Sequence, residues 1–329
     1  MKTIAWVFRS KERNEFSIET LFACFKKYII NAEIQEYYLP HGRYNNIKFL
    51  SNDCNYAKKI KADIYHITGE VYFITPFFPR EKVILTVHDC VDLESMKGIK
   101  KLIRWLFWYY IPFHHCKYIA CISHKVCEEI EDRFPFTKNK IIYAPNPIDD
   151  SYTMVQKNFS DTPKILIVGT RVNKNVERII QAVEGIECSL YIIGVLEEKQ
   201  QKMLKYYKVQ YENVYRITDE EMREAYCKCD MLCFPSTYEG FGRPIIEANA
   251  IGRPVVTSAL EPMMEVGADA AVFVNPYSIE DIREGILKII NDKELRERIV
   301  ENGYKNAKKY SAQNIADIYM KIYNDRKSL

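Results

Sequence analysis

A chain of 329 residues can bury two sizeable hydrophobic cores, which excludes a peptide or a disulfide-stapled miniprotein. With 47% hydrophobic and 28% charged residues and only 12 Gly and 13 Pro, the composition is that of a chain folded throughout, not a disordered or collagen-like one. A net charge of +3 is too balanced for a general nucleic-acid binder, which needs a strongly basic face.

Met1-Lys2-Thr3 runs straight into the strand-like Ile4–Phe8 with no secretory leader, so a cytoplasmic chain with ten free cysteine thiols is expected. Short β-branched and aromatic runs then alternate with helical periods, the pattern of βαβ units and parallel sheets. In the first half, strands are predicted at 3–8, 34–38, 63–67, 82–87, 117–122 and 140–143, with helices at 17–30, 99–111 and 124–134. The segment 97–112 joins Lys97, Lys100, Lys101 and Arg104 to Trp105, Phe107, Trp108, Tyr109 and Tyr110. That composition suits equally a helix lying on anionic lipid and a core helix with a basic first turn. No run of 18 uncharged apolar residues occurs, so nothing is expected to span a membrane.

The turn residues of 144–151 and the polar stretch to Pro163 read as a linker. Beyond it, strands at 164–168, 189–193, 213–215, 230–234, 254–257 and 271–274 alternate with helices at 174–184, 196–207, 219–228, 244–251 and 278–290. Two helices near 292–309 and 312–325 follow, the last carrying Ile315, Tyr319, Ile322 and Tyr323 at helical spacing. That stripe requires something to pack on. The expected fold is α/β with two doubly wound domains, 1–152 and 153–311, and a separate terminal helix within 312–329. All six histidines lie in the first domain. The second must therefore work with carboxylates and cations.

The segment Met231 to Thr257 reads as a strand, a loop holding Glu239, Gly240, Phe241 and Gly242, and a helix with Pro244 at its start and Gly252 at its end. Backbone N–H groups and the positive end of the helix dipole make such a loop an anion site, at the carboxyl edge where parallel sheets bind ligands. Two carboxylates, Glu239 and Glu247, are unsuited to phosphate alone. They suit a ligand that also carries hydroxyls, such as a nucleotide sugar; the alternative is that both are solvated surface groups. Upstream, Gly169, Thr170, Arg171 and Lys174 form a second strand-turn-helix junction, whose cations can neutralise a diphosphate or stand as solvated turn residues. Neither G-x-G-x-x-G nor a phosphate-loop signature occurs, which disfavours a nicotinamide oxidoreductase. Cys116, Cys121 and Cys127, like Cys227, Cys229 and Cys233, lack paired C-x-x-C spacing, and no metal is expected.

The block Glu239-Gly-Phe-Gly-Arg-Pro-Ile-Ile-Glu247 resembles the E-x7-E motif of family-4 retaining glycosyltransferases. Gly169–Asn175 is similar to that family's phosphate turn, Asp219–Met222 with Tyr226 to the helix before the motif, and Glu265–Ala271 to a segment after it. Thr86-Val-His88-Asp89, Ile122-Ser123 and Pro145–Asp149 match more loosely. The resemblance implies a GT-B fold, with two facing Rossmann-like domains, a cleft between them and a terminal helix crossing back onto the first.

It also implies roles. Glu239 faces the donor sugar hydroxyls, the backbone of Phe241, Gly242 and Arg243 the sugar and phosphates, Glu247 the ribose diol, and Arg171 and Lys174 the diphosphate. His88, Arg171, Lys174 and Glu239 form the expected catalytic set; Asp89 and Ser123 are acceptor-side candidates. Residues 9–19 carry no glycine where many relatives have a Gly-rich loop, and Arg243 holds an often apolar position, open to donor, acceptor or solvent.

The implied reaction moves a hexosyl group from a nucleotide-diphosphate sugar to a glycan or lipid-linked acceptor with retention, without metal or cofactor, as in bacterial surface polysaccharide synthesis. Glu239 and Glu247 are read as hydroxyl binders, not as the flanking pair of a glycosidase. A same-fold sugar-nucleotide epimerase and a non-catalytic nucleotide-sugar-binding subunit are the alternatives.

Overall fold

The computed structural model describes residues 1–10, 17–41, 46–90 and 97–325. They divide into two compact units, Met1–Asp149 with the terminal segment from Ala312, and Asp150–Ser311.

The first unit is a six-stranded sheet, order β2-β1-β3-β4-β5-β6, built from β1 Lys2–Phe8, β2 Ala32–Tyr38, β3 Ile64–Ile67, β4 Val83–Val87, β5 Tyr118–Cys121 and β6 Ile141–Tyr143. Every neighbouring pair is parallel. Strands covered on both faces read as continuous apolar runs, and β3, β4 and β5 are accordingly buried along their whole length. The stripe on the last helix, Ala312–Tyr323, packs in this unit: Ile315, Tyr319, Ile322 and Tyr323 share a core with Trp6, Phe22 and Phe25.

A buried polar chain stitches that helix to the sheet. Trp6 Nε1 donates to the Tyr323 hydroxyl at 2.9 Å, which contacts His66 Nδ1 at 2.7 Å. His66 Nε2 contacts Thr86 Oγ1 at 2.7 Å, and Thr86 Oγ1 lies 3.1 Å from the Tyr319 hydroxyl. An indole N–H only donates, so the Tyr323 oxygen accepts from Trp6, and the neutral His66 ring joins Tyr323 to Thr86 with one nitrogen donating and the other accepting.

Three elements differ from expectation. The helix predicted at 17–30 ends at Lys26, and the chain reverses through Asn31 in the left-handed region. A helix at Ile47–Ala57 was not predicted, because its Ser, Asn and Asp residues are weak helix formers; Asn46 caps it by accepting from the Lys48 N–H at 2.9 Å. The 97–112 segment divides its character: Ile99, Leu102, Ile103 and Phe107 are exposed, whereas Trp108 and Tyr109 are core residues. The change comes at a π-helical turn, Trp105–Tyr110, where Arg104 lies over the Trp108 ring.

The second unit has strand order β12-β11-β10-β7-β8-β9, with β7 Lys164–Val168, β8 Ser189–Ile193, β9 Gln210–Val214, β10 Met231–Phe234, β11 Val255–Ser258 and β12 Val272–Val274, again all parallel. The edge strand β9 starts three residues before its predicted position; its exposed residues Gln210, Tyr211 and Glu212 show no alternation to read. The helix predicted at 174–184 contracts to Val176–Ala182 because Asn175 adopts φ +63° ahead of it. A short helix at Met263–Gly267 was also unpredicted. All ten cysteines are unbridged.

Candidate functional site

In the second unit the chain order reverses between β7 and β10: β8 and β9 lie to one side, β11 and β12 to the other. Parallel sheets leave their ligand crevice at such a reversal, beyond the carboxyl ends of the strands. The two junctions singled out from sequence emerge at these two strand ends.

After β7, Gly169 adopts φ +88°, and a Cβ there would lie 3.0 Å from the Lys174 side chain, so glycine lets the lysine stem ride over the turn. The Lys174 ammonium reaches Glu239 Oε1 at 2.6 Å and lies 4.6 Å from the centre of the Phe234 ring. Thr170 does not point at this pair; its hydroxyl donates to the Val195 carbonyl at 2.6 Å. Arg171 is exposed at the turn.

Two asparagines lock the junctions together. Asn173 donates from its amide to the Tyr238 carbonyl at 2.9 Å and accepts the Thr237 N–H at its own carbonyl. Asn175, 4% exposed, donates to the carbonyls of Pro235 at 3.0 Å and Pro276 at 2.6 Å, tying the loops after β7, β10 and β12 to one side chain. Both lie in the turn motif quoted above. Their tying role was invisible because the carbonyls they donate to lie 60 to 101 positions away.

After β10, Gly240 carries the loop to Phe241, which is buried with its ring edge-on to Tyr310. Gly242, at φ +105°, precedes the nine-residue helix Arg243–Ile251, whose start has Pro244 and no side-chain cap. Pro244 has no N–H and the Ile245 N–H bonds the Gly242 carbonyl at 3.0 Å, so what this helix start offers an anion is the positive end of its dipole.

Glu247 lies on this helix, 5% exposed. Burial excludes the solvated-surface reading of its carboxylate. Tyr226, fully buried on the helix Asp219–Lys228, donates to Oε2 at 2.7 Å, and Arg243 brings Nε to 2.7 Å from Oε1. Burial, with the Glu247 charge next, pushes the Tyr226 phenol well above its ordinary pKa, so it stays a donor. Arg243, left open from sequence, is thus an ion-pair partner of Glu247.

Gly169, Lys174 and Glu239 meet directly, and Arg243 meets Glu247. His88, Asp89 and Ser123 belong to the other unit. His88 follows β4 and donates from Nε2 to the Thr68 carbonyl at 2.8 Å. A carbonyl only accepts, so Nε2 carries the hydrogen. Burial, partly opposed by that bond, holds the His88 pKa below its ordinary value, which leaves Nδ1 a neutral acceptor. Asp89 beside it is exposed. Ser123 departs from the acceptor-side expectation: it is fully buried, and its Oγ accepts the Val126 N–H at 3.2 Å as the cap of the His124–Arg133 helix.

Among the described residues no group of three or more His, Cys, Asp and Glu side chains is arranged to hold a metal ion, and no helix is long and apolar enough to cross a membrane.

Comparison with known proteins agrees with the geometry. An uncharacterized glycosyltransferase of Methanocaldococcus jannaschii is 27% identical over 252 residues, covering 74% of this chain and 68% of that protein. The capsular polysaccharide biosynthesis glycosyltransferase CapM of Staphylococcus aureus is 29% identical over 284 residues, covering 78% and 74%. The structure of Anabaena HepE in complex with UDP and glucose matches over 100% of both chains with a TM-score of 0.75 at 13% identity, a likeness of fold. The glycosyltransferase family 4 model matches residues 7–152 and the glycosyl transferases group 1 model residues 151–306. The two matches together run from residue 7 to residue 306, and the chain belongs to the family-4, group 1 glycosyltransferases.

Proposed function

We propose that the protein is a retaining hexosyltransferase that carries a sugar from a nucleoside diphosphate to a hydroxyl of a glycan or lipid-linked acceptor, in bacterial surface polysaccharide synthesis. The observation that carries this reading is the junction at the β7/β10 reversal, where Lys174 and Glu239 pair across adjoining loops and the helix that follows carries Glu247, held by Tyr226 and Arg243. The helix start and Lys174 suit a diphosphate. Glu239 and Glu247 suit sugar and ribose hydroxyls.

In this reading the second unit takes the donor and the first the acceptor. The bond from the sugar anomeric carbon to the phosphate breaks as the acceptor oxygen bonds on the same face, and its proton passes to the departing phosphate. Lys174, Arg171 and the positive end of the helix dipole stabilise the charge that develops there, which needs neither metal nor cofactor. His88 offers Nδ1 as an acceptor that orients the reacting sugar. The CapM likeness supports the polysaccharide setting.

The first test is thermal stabilisation by UDP-, GDP-, ADP- and dTDP-sugars. Ligand at about 100 times its Kd stabilises by about 2.7 kcal/mol, a rise in Tm of about 5–10 °C for a unit of this size. One nucleotide series is expected to give that rise, and Glu247→Ala to abolish it. No rise with any donor overturns the reading.

The lipid-linked acceptor draws support from the exposed face of Ile99, Leu102, Ile103 and Phe107, flanked by exposed Lys97, Lys100 and Lys101. Anionic lipid attracts each such lysine by about 1 kcal/mol. The protein is expected to sediment with vesicles containing phosphatidylglycerol and not with pure phosphatidylcholine. Reversing Lys100 and Lys101 to Glu is expected to weaken that binding more than tenfold, and equal binding to both vesicles would exclude the electrostatic contact.

A further inference from the structure

The carboxyl edge of the first unit holds a charged group that the proposed mechanism does not use. Arg9 follows β1 directly, at the start of the glycine-free stretch, and its side chain is 4% exposed. Its Nη1 lies 3.1 Å from Glu70 Oε1, and its Nε lies 3.7 Å from Glu19 Oε1. A buried guanidinium requires such partners.

Glu70 occupies an unusual backbone position. It follows β3 by way of Thr68 and Gly69, adopts φ +50°, and is the centre of a three-residue turn closed by the Val71 N–H on the Gly69 carbonyl. A non-glycine residue in such a turn is strained and persists where its surroundings hold it. The same turn bounds His88. Thr68 supplies the carbonyl that receives His88 Nε2–H, and a Cβ on Gly69 would lie 3.0 Å from the His88 ring.

We propose that Arg9 and Glu70 are positioning residues for His88: Arg9 holds Glu70, Glu70 holds the strained turn, and the turn presents the carbonyl that fixes the imidazole with Nδ1 as its acceptor. This rests on the reading above that His88 serves the reaction. The arrangement ties the turn to a buried guanidinium through the partly exposed Glu70 carboxylate. The charged and titratable groups facing His88 are Glu70 from the loop after β3, Asp89 beside it, Arg9 from the loop after β1, and His66 on β3.

The test is a 15N titration of the histidines in the full chain, with His88 assigned by its loss in His88→Gln. The wild-type ring is expected to be neutral with Nε2 protonated at pH 7. Arg9→Gln and Glu70→Gln each break the contact that holds the turn, so both are expected to lose the Nε2-protonated preference and to raise the His88 pKa by about half a unit, toward its ordinary value, as the ring gains solvent. Arg9→Lys keeps the charge and is expected to stay near wild type.

Glu70→Gln decides the matter. Coulombic loss alone would lower the His88 pKa there and leave the tautomer unchanged, so a fall with Nε2 still protonated, or no movement in either variant, overturns the proposal. Should Arg9→Gln fail to fold, the rise in Glu70→Gln alone decides. Nucleotide release from UDP-glucose and GDP-mannose separates this from the wider reading: a wild-type rate in His88→Gln removes His88 from the reaction, while the titrations still report on the lock.

Discussion

Lys174→Ala is expected to lower turnover more than tenfold, measured as the kcat for nucleoside diphosphate release. The ammonium is only 18% exposed, rides on Gly169 and is aimed by its 2.6 Å contact with Glu239. A preorganised donor facing the charge of a transition state is worth about 10²–10³ in kcat when removed. Partial exposure and the helix dipole that remains reduce that figure, which sets the floor near tenfold. The loss has a second component. Without Lys174 the Glu239 carboxylate, 14% exposed, faces the diphosphate as an unneutralised anion.

A double-mutant cycle separates the two effects. If stranding Glu239 causes much of the loss, Lys174→Ala/Glu239→Gln recovers part of the turnover, and the coupling between the residues differs from zero by about 0.5–3 kcal/mol. If Lys174 acts mainly on the departing phosphate, the double variant stays as slow as the single one. Turnover near wild type in Lys174→Ala would remove the lysine from leaving-group stabilisation.

The alternation of strands and helices was legible because period 2 and period 3.6 are local, and most elements fall within two or three residues of their predicted limits. The helix at Ile47–Ala57 was not, since its buried face includes Asp53, a residue that local reasoning places outside. At the donor-side junction, residue types and spacing placed Lys174 and Glu239 at the turns after their strands and Glu247 on the helix that follows. What each carboxylate touches was out of reach. The Lys174–Glu239 pair joins residues 65 positions apart, and the Tyr226 donor to Glu247 comes from the preceding helix. Arg243–Glu247 is the instructive exception, since i,i+4 spacing on a helix is itself a pairing signal. Weighing Arg243 only against donor, acceptor and solvent leaves that signal unused. Ser123 shows the converse error. A serine ahead of a helical period is a capping signal, and the structure gives it that task.

The stability advantage of the wild type over His66→Gln is expected to shrink as pH falls below about 6.5, by about 1.4 kcal/mol per pH unit. His66 is fully buried, and burial, with a smaller contribution from His88, lowers its pKa to about 3. Between that value and the ordinary one the unfolded chain binds a proton that the folded chain refuses. The contribution of the neutral ring is therefore complete above about pH 6.5 and is lost progressively as pH falls toward 3. Asp53 works in the opposite sense, since burial raises its pKa to about 6 and favours the folded state at low pH. The raw pH profile mixes both groups, whereas the difference between wild type and His66→Gln cancels Asp53. Glutamine suits the comparison because its amide can donate toward Thr86 and accept from Tyr323 without titrating. Urea unfolding at pH 7, 6 and 5, followed by tryptophan fluorescence, reads the correct unit, since Trp6, Trp105 and Trp108 are the chain's three tryptophans and all lie in the first. A gap that stays constant from pH 7 to 5 would mean that His66 accepts its proton in the folded state, and that the Trp6–Tyr323–His66–Thr86 chain is looser than its 2.7–2.9 Å contacts imply.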